Sequence, residues 1–199
     1  VGRAGGGGRR ARGGRRGGGG GRAWGVGGAG GRAGEVVGRW MLAAQGERVL
    51  FMDADYSVPI RYVEPAFAVL DAGCAVAIGS RGAAGAHMTN RQSALREFAS
   101  RVYTAVQNRW IKVDFVDTQC GFKMYTRRAV QVLFPQQKLD SVIFDGELFF
   151  LAQRAGLKVG EFPVEWNHHP DSRITYNLRK SLQIFWELFK IRWLHRFGR

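Results

Sequence analysis

The chain has 199 residues, a formal net charge of +14 and 45% hydrophobic residues. That content supports one domain of ordinary size, and two cysteines exclude a disulfide framework and a cysteine-built metal site. No stretch approaches 18 uninterrupted apolar residues, so no membrane-spanning helix is expected within it.

Composition divides the chain at residue 34. Residues 1–34 hold eight arginines, eighteen glycines and no acid, leaving a charge of +6 for the remainder. Such a segment cannot bury enough surface to offset its ordering entropy and is expected to be disordered. Two readings stand. A basic Gly/Arg tail could hold RNA or anionic lipid through phosphate contacts. Alternatively, Gly, Arg and Ala are what GC-rich DNA encodes in a wrong frame. No apolar h-region follows the charges, so a secretory signal is not expected. Residues 35–199 are then the folded domain, and Cys74 and Cys120 fit a reducing compartment.

Within that domain, Val36 to Gln45 reads as a helix ended by Gly46, and Val49–Asp53 as a buried strand. Arg61–Ala72 is a helix stopped at Gly73. Ala75–Gly79 is a second buried strand, closing in Gly79-Ser80-Arg81, and 82–90 is a polar loop. Gln92–Trp110 is a long amphipathic helix with apolar residues at 95, 98, 99, 102, 103 and 106. Phe122–Tyr125 is a strand, Arg127–Leu133 and Asp145–Ala155 are helices, and Lys158–Trp166 is an edge-like strand around Pro163. The last twenty residues form an amphipathic helix, with Leu182, Phe185, Trp186, Phe189 and Trp193 at helical spacing among basic residues. Helices alternating with short buried strands indicate an α/β fold with a largely parallel sheet, whose ligands bind at the carboxyl ends of strands.

Asp53-Ala54-Asp55 lies at such an end. In an extended segment residues i and i+2 point the same way, so Asp53 and Asp55 could face one cation. Two carboxylates with open positions left for phosphate oxygens suit Mg²⁺ or Mn²⁺. The plainer reading is a turn with two solvated aspartates. Arg81 and Asp117 also fall at strand ends. Arg81 could grip phosphate bidentately or only pair with Glu97, and Asp117 could only shape a turn with Gly121. Asp145 could be a helix cap and Glu147 a first-turn acid favoured by the dipole. His168-His169 reads as a solvated loop, and Cys120 as a small buried residue.

The runs LFMDADYSVP, AIGSR, DTQCGFKMY and FDGELFFLAQRAGLKVGEFPVEWNHHPDSRI resemble the family 2 glycosyltransferases, within them the polyprenyl-phosphate branch of dolichyl-phosphate glucosyl- and mannosyltransferase type. The likeness runs from about Met41 to Arg192. It implies a GT-A fold, α/β with a mixed, mainly parallel sheet flanked by helices and here incomplete at the N-terminus. It also implies a divalent cation (Mg²⁺ or Mn²⁺), a nucleotide-diphosphate sugar of the UDP-glucose or GDP-mannose type, and a polyprenyl phosphate acceptor. The implied place is the cytosolic face of a membrane, with the protein peripheral to it and no specific nucleic acid bound.

Position by position, the resemblance implies that Asp53 and Asp55 hold metal and donor diphosphate, with Ser57 a further oxygen. It puts Arg81 on phosphate, Asp117 and Gln119 beside the sugar, Asp145 or Glu147 near the acceptor, and Arg173 on the acceptor phosphate. The implied reaction is an inverting displacement at the anomeric carbon. Family members begin with a V-I-P-A-Y-N-E strand and a G-K-G helix start, which this sequence replaces with the Gly/Arg segment. A shifted frame upstream of Met41 is expected to encode them. The strand Val49–Met52 is then expected to expose an unpaired edge. The alternatives are a non-catalytic basic protein binding nucleic acid or membrane, and an inactive glycosyltransferase fragment.

Overall fold

The computed structural model describes residues 33–89, 94–141, 143–167 and 178–196. Arg173, His168-His169 and the Gly/Arg segment up to residue 32 lie outside the described residues.

Helix α1 spans Ala33–Ala43 and starts ahead of the expected domain boundary. Gly34 is buried there, its N–H donating to the Asp140 carbonyl at 2.8 Å. A Cβ on residue 34 would stand 2.4 Å from the Leu139 carbonyl oxygen, so this contact needs glycine. Strand β1 is Arg48–Met52; after a 3₁₀ turn at Ile60–Tyr62 come α2 at Val63–Asp71 and β2 at Val76–Ser80. The expected polar loop contains a two-residue strand, β3, at His87–Met88. Next come α3 at Ala94–Ile111, β4 at Phe122–Thr126 and α4 at Arg127–Leu133, whose first turn is capped by the Thr126 hydroxyl accepting from Ala129 N–H. The chain continues through α5 at Phe144–Arg154, β5 at Val159–Pro163, β6 at Glu165–Trp166 and α6 at Leu178–Leu194.

The main sheet has the order β1-β4-β2-β5. β1, β2 and β5 run the same way and β4 is reversed. The sheet is therefore mixed, mainly parallel in strand direction, yet both pairings of β4 are antiparallel and only β2–β5 is parallel. Hydrophobic pattern carries no strand direction, so this could not be read beforehand. Among the described residues, no strand lies on the outer side of β1. β3 and β6 form a second, parallel two-stranded sheet.

Side chains alternate across the sheet with the two-residue period of strands. Val49, Phe51, Val76, Ile78 and Tyr125 join a core built with α1 and α3 to α6. Leu50, Met52, Ala77, Phe122 and Met124 join a second core under α2. The sheet is thus sandwiched between two helical layers.

Two expected helix faces are corrected. On α3, Phe98 and Val102 are exposed, and the buried side is Tyr103, Thr104, Gln107 and Ile111. The apolar residues of α3 spread around the helix, so the burial of Gln107 decides its rotation. On α6, Leu188 and Ile191 are fully buried, whereas Trp186 and Trp193 face outward.

Candidate active site

The carboxyl ends of β1 and β2 and the amino end of β4 open on the same side of the sheet. Asp53 leaves β1 by donating its backbone N–H to the Gly121 carbonyl at 2.8 Å, extending the β1–β4 ladder one step. Its carboxylate then folds over Gly121. A Cβ on residue 121 would lie 1.8 Å from Asp53 Oδ2, so the side chain occupies space that only glycine leaves open. Gly121→Ala should therefore expel the Asp53 carboxylate while sparing the fold. We expect affinity for Mn²⁺ with UDP-glucose to fall roughly tenfold or more, about 1.4 kcal/mol. The melting temperature should move by less than ~4 °C, under about 1 kcal/mol. Unchanged affinity would show that this carboxylate position does no work.

Asp55 reaches the site by a route other than the strand pleat. β1 stops at Met52, residues 54 and 55 form a turn, and Tyr56 takes a left-handed φ of 55°. The i, i+2 argument for Asp53 and Asp55 is corrected accordingly: the turn brings them into one loop. Asp55 Oδ1 accepts the Ser57 N–H at 2.9 Å, which fixes its carboxylate. Ser57 is buried and holds the loop through its backbone, its carbonyl accepting from Asn167 N–H at 2.9 Å.

Arg81 and Asp117, 36 residues apart, form a closed pair. Arg81 Nε and Nη2 donate to Asp117 Oδ2 and Oδ1 at 2.6 and 2.9 Å, and Arg81 N–H adds a bond of 3.0 Å to Oδ2. Gln119 N–H donates to Asp117 Oδ1 at 3.0 Å. Burial alone would raise the Asp117 carboxyl, but the hydrogen bonds and charge of Arg81 outweigh it and hold the group below the ordinary carboxylate range. Neither the Glu97 partner nor the Gly121 turn is used. Asp117 is a saturated carboxylate that orients Arg81, which corrects the expectation of a free acid beside a sugar. Glu161 on β5 fixes this loop from behind, accepting from the Val116 and Asp117 N–H groups at 2.9 Å each. The Arg81 guanidinium also lies 5.4 Å from the Trp166 ring centroid.

Beneath the loop sits a lysine that sequence reading passed over. Lys123 occupies the slot of β4 opposite Phe51 and Ile78 and is 0% exposed. Its ammonium donates to the Cys120 carbonyl at 2.6 Å and lies 3.1 Å from Asp145 Oδ2. Burial raises the Asp145 carboxyl despite the attraction of Lys123. Burial likewise raises Asp53, moderated by Lys123 and reinforced by Asp55 and Asp145, so these four groups share one electrostatic neighbourhood. A lysine inside a buried strand run is the signal that could have found it, because such a charge is kept only with a partner. Burial beside Asp117 pushes the Cys120 thiol up to about 12, in keeping with a small core residue.

Glu147 does not join this cluster. It is fully buried, accepts from the Lys138 and Leu139 N–H groups at 2.9 and 2.8 Å, and meets His195 Nε2 at 2.5 Å. It ties α5 to the 138–139 loop and to the end of α6. The expectation that it serves as a site acid is corrected: residues two apart on a helix point about 200° apart, so only one of Asp145 and Glu147 can face the sheet.

The site thus gathers Asp53, Asp55, Arg81, Asp117, Gln119, Lys123 and Asp145. Ser80 Oγ, Thr118 Oγ1, Gln119 Nε2 and Asp145 Oδ1, on these same segments, are buried polar atoms without a hydrogen-bond partner among the described residues. Among the described residues, no three acids, histidines or cysteines are close enough to enclose a metal by themselves. Asp53 and Asp55 suit a hard cation that completes its shell with phosphate oxygens and water, as Mg²⁺ does. The mutual repulsion of Asp53, Asp55 and Asp145 is what such a cation would relieve.

This three-layer sheet with acids and arginine at its strand ends is that of the GT-A glycosyltransferases. It superposes on glucosyl-3-phosphoglycerate synthase from Mycobacterium tuberculosis, solved with UDP, at a TM-score of 0.54 and 17% identity, over 79% of this chain and 54% of that one. The same synthase solved with Mn²⁺, UDP-glucose and phosphoglyceric acid gives a TM-score of 0.54 at 16% identity, over the same shares. Residues 38–134 match the model of glycosyl transferase family 2, and the chain belongs to that family. Its relatives include a dolichyl-phosphate beta-glucosyltransferase of Trichomonas vaginalis, 36% identical over 71% of this chain and 43% of the relative. The Drosophila melanogaster dolichyl-phosphate beta-glucosyltransferase is 32% identical over 71% and 45%. The chain spans about half the length of the curated relatives it matches.

Proposed function

We propose that this chain carries the metal and phosphate half of a transferase that moves a hexose from a nucleotide-diphosphate sugar to a polyprenyl phosphate of the dolichyl type. The observation that carries the reading is the gathering of Asp53, Asp55 and the Arg81–Asp117 pair at the strand ends of the sheet. Its relatives named as dolichyl-phosphate beta-glucosyltransferases favour glucose as the sugar and a UDP donor.

When bound, a divalent cation supplies charge neutralisation at the leaving diphosphate, and Asp53 and Asp55 are the residues that would hold it. Arg81 is held by Asp117 through Nε and Nη2, which leaves Nη1 as its donor toward a phosphate oxygen. Lys123 keeps the acidic cluster from repelling itself apart. The Gln119 side chain offers Nε2 to a sugar hydroxyl. A phosphate acceptor is already anionic near neutral pH, so the site needs no strong base. That matches a cluster whose acids are paired or engaged. The displacement inverts the anomeric carbon, and the protein works as a peripheral enzyme at the cytosolic face of a membrane, with Arg173 assigned to the acceptor phosphate.

The test is transfer of labelled hexose to dolichyl phosphate by the full chain, comparing UDP-glucose with GDP-mannose in the presence of Mg²⁺ or Mn²⁺. A lipid-linked hexose formed from UDP-glucose is expected. No product from either donor, with no cation-dependent donor binding by calorimetry, would overturn the reading.

A further inference from the structure

Helices α3 and α6 pack against one another, Trp110 of α3 meeting Phe189 of α6 edge to face at 4.8 Å between centroids. Each presents large apolar side chains to solvent. Trp186 and Trp193 are 63% and 69% exposed, and at 100° per residue both lie on the side of α6 opposite the buried Leu188 and Ile191. On α3, Phe98 is 64% exposed and lies above Val102 on the outer side, opposite buried Gln107. An apolar cavity of ~410 Å³ lined by Val106, Arg109, Trp110 and Phe189 joins the two stripes. Packing inside the domain does not account for aromatic residues on these outer faces, and contiguous exposed apolar surface marks an interaction site.

The charge around the face is of one sign. Exposed Arg101, Arg109, Lys112, Lys190 and Arg196 flank the stripes, and the Lys190 ammonium lies 5.8 Å from the Trp186 ring centroid. The one acid of α6, Glu187, is engaged by the Gln183 amide at 2.9 Å. Tryptophan and phenylalanine ringed by lysine and arginine are complementary to the headgroup zone of an anionic bilayer, where the rings enter the acyl boundary and the cations meet phosphate. No described helix is long and apolar enough to cross a membrane, so such a face would lie on the surface.

We propose that α3 and α6 together form one docking face that seats the protein on an anionic lipid bilayer. It deepens the reading given above by supplying the surface through which a lipid-borne acceptor is met. The experiment uses the full chain and vesicles of phosphatidylcholine with or without phosphatidylglycerol, free of polyprenyl phosphate and nucleotide sugar. Its outcome is therefore independent of whether the transfer reaction is correctly assigned.

The parent should co-sediment with the anionic vesicles. The pair Trp186→Ser and Trp193→Ser should weaken partition roughly tenfold or more, and the pair Arg109→Glu and Lys190→Glu by a similar factor. Leu42→Ser, an exposed apolar residue on α1, is the control and should bind as the parent does. All substituted side chains are exposed, and an unchanged melting curve confirms folding. Unaltered partition in both paired variants would overturn the proposal and leave vesicle binding to the arginine-rich segment. A parent that is dimeric by sedimentation velocity, and that the tryptophan pair converts to monomer with vesicle binding unchanged, would also overturn it by giving the face to a second copy.

Discussion

Lys123→Met should cost about 3–5 kcal/mol of folding stability at neutral pH, because it strips the partner from a buried carboxylate while leaving the carboxylate in place. The lysine is wholly inside, and Asp145 is nearly so. Burial already lifts the Asp145 carboxyl above its ordinary 3.8, against the pull of Lys123. The folded protein therefore keeps a proton on Asp145 over a range beginning near 3.8, where the unfolded chain has released it. Within that range stability falls as pH rises. Without the ammonium the range extends further upward, so the deficit of the variant should be greatest near neutrality and shrink as the solution is acidified toward 3.8. Urea denaturation at several pH values measures this. Adding Asp145→Asn should recover much of the loss, since a neutral pair removes the stranded charge. A deficit that grows on acidification would show that the lysine serves something other than Asp145.

Asp53→Asn should lower cation-dependent hexose transfer on the order of 10²- to 10³-fold, the loss that follows removal of one well-placed electrostatic group. The amide preserves the shape that fills the space over Gly121, and the backbone bond to the Gly121 carbonyl is untouched, so the fold should stay intact. Mn²⁺ binding followed by electron paramagnetic resonance gives a readout separate from turnover and should weaken in parallel. A variant with parental Mn²⁺ affinity and parental rate would remove the aspartate from the site.

Much of this site was legible because its residues fall at places where strands end. Asp53, Arg81 and Asp117 each follow an apolar run that can only be a buried strand, and the sheet brings those ends together. What was not legible depended on pairing across distance. Nothing in the sequence says that Arg81 chooses Asp117 rather than Glu97, because both are within reach of an unfolded chain. Asp145 and Glu147 look equivalent in a string and lie on different sides of a helix. Lys123 was hidden by its neighbours: in a run of Phe, Met and Tyr it marks a buried charge only once its alternation with Phe122 and Met124 is followed across the sheet. The rotation of α3 was equally out of reach, since a buried glutamine outranked an exposed phenylalanine there.

The strand that delivers Asp53 borders the sheet, with hydrogen-bonded support from β4 alone among the described residues. A border strand opens at lower free-energy cost than a central one, so β1 can fray while β2, β4 and β5 stay paired. Each such opening carries Asp53 away from Gly121 and abolishes the site without unfolding the domain. The apparent affinity for any ligand that needs Asp53 is then the intrinsic affinity scaled by the fraction of molecules whose β1 is closed. Whatever covers that border tightens binding without touching the ligand.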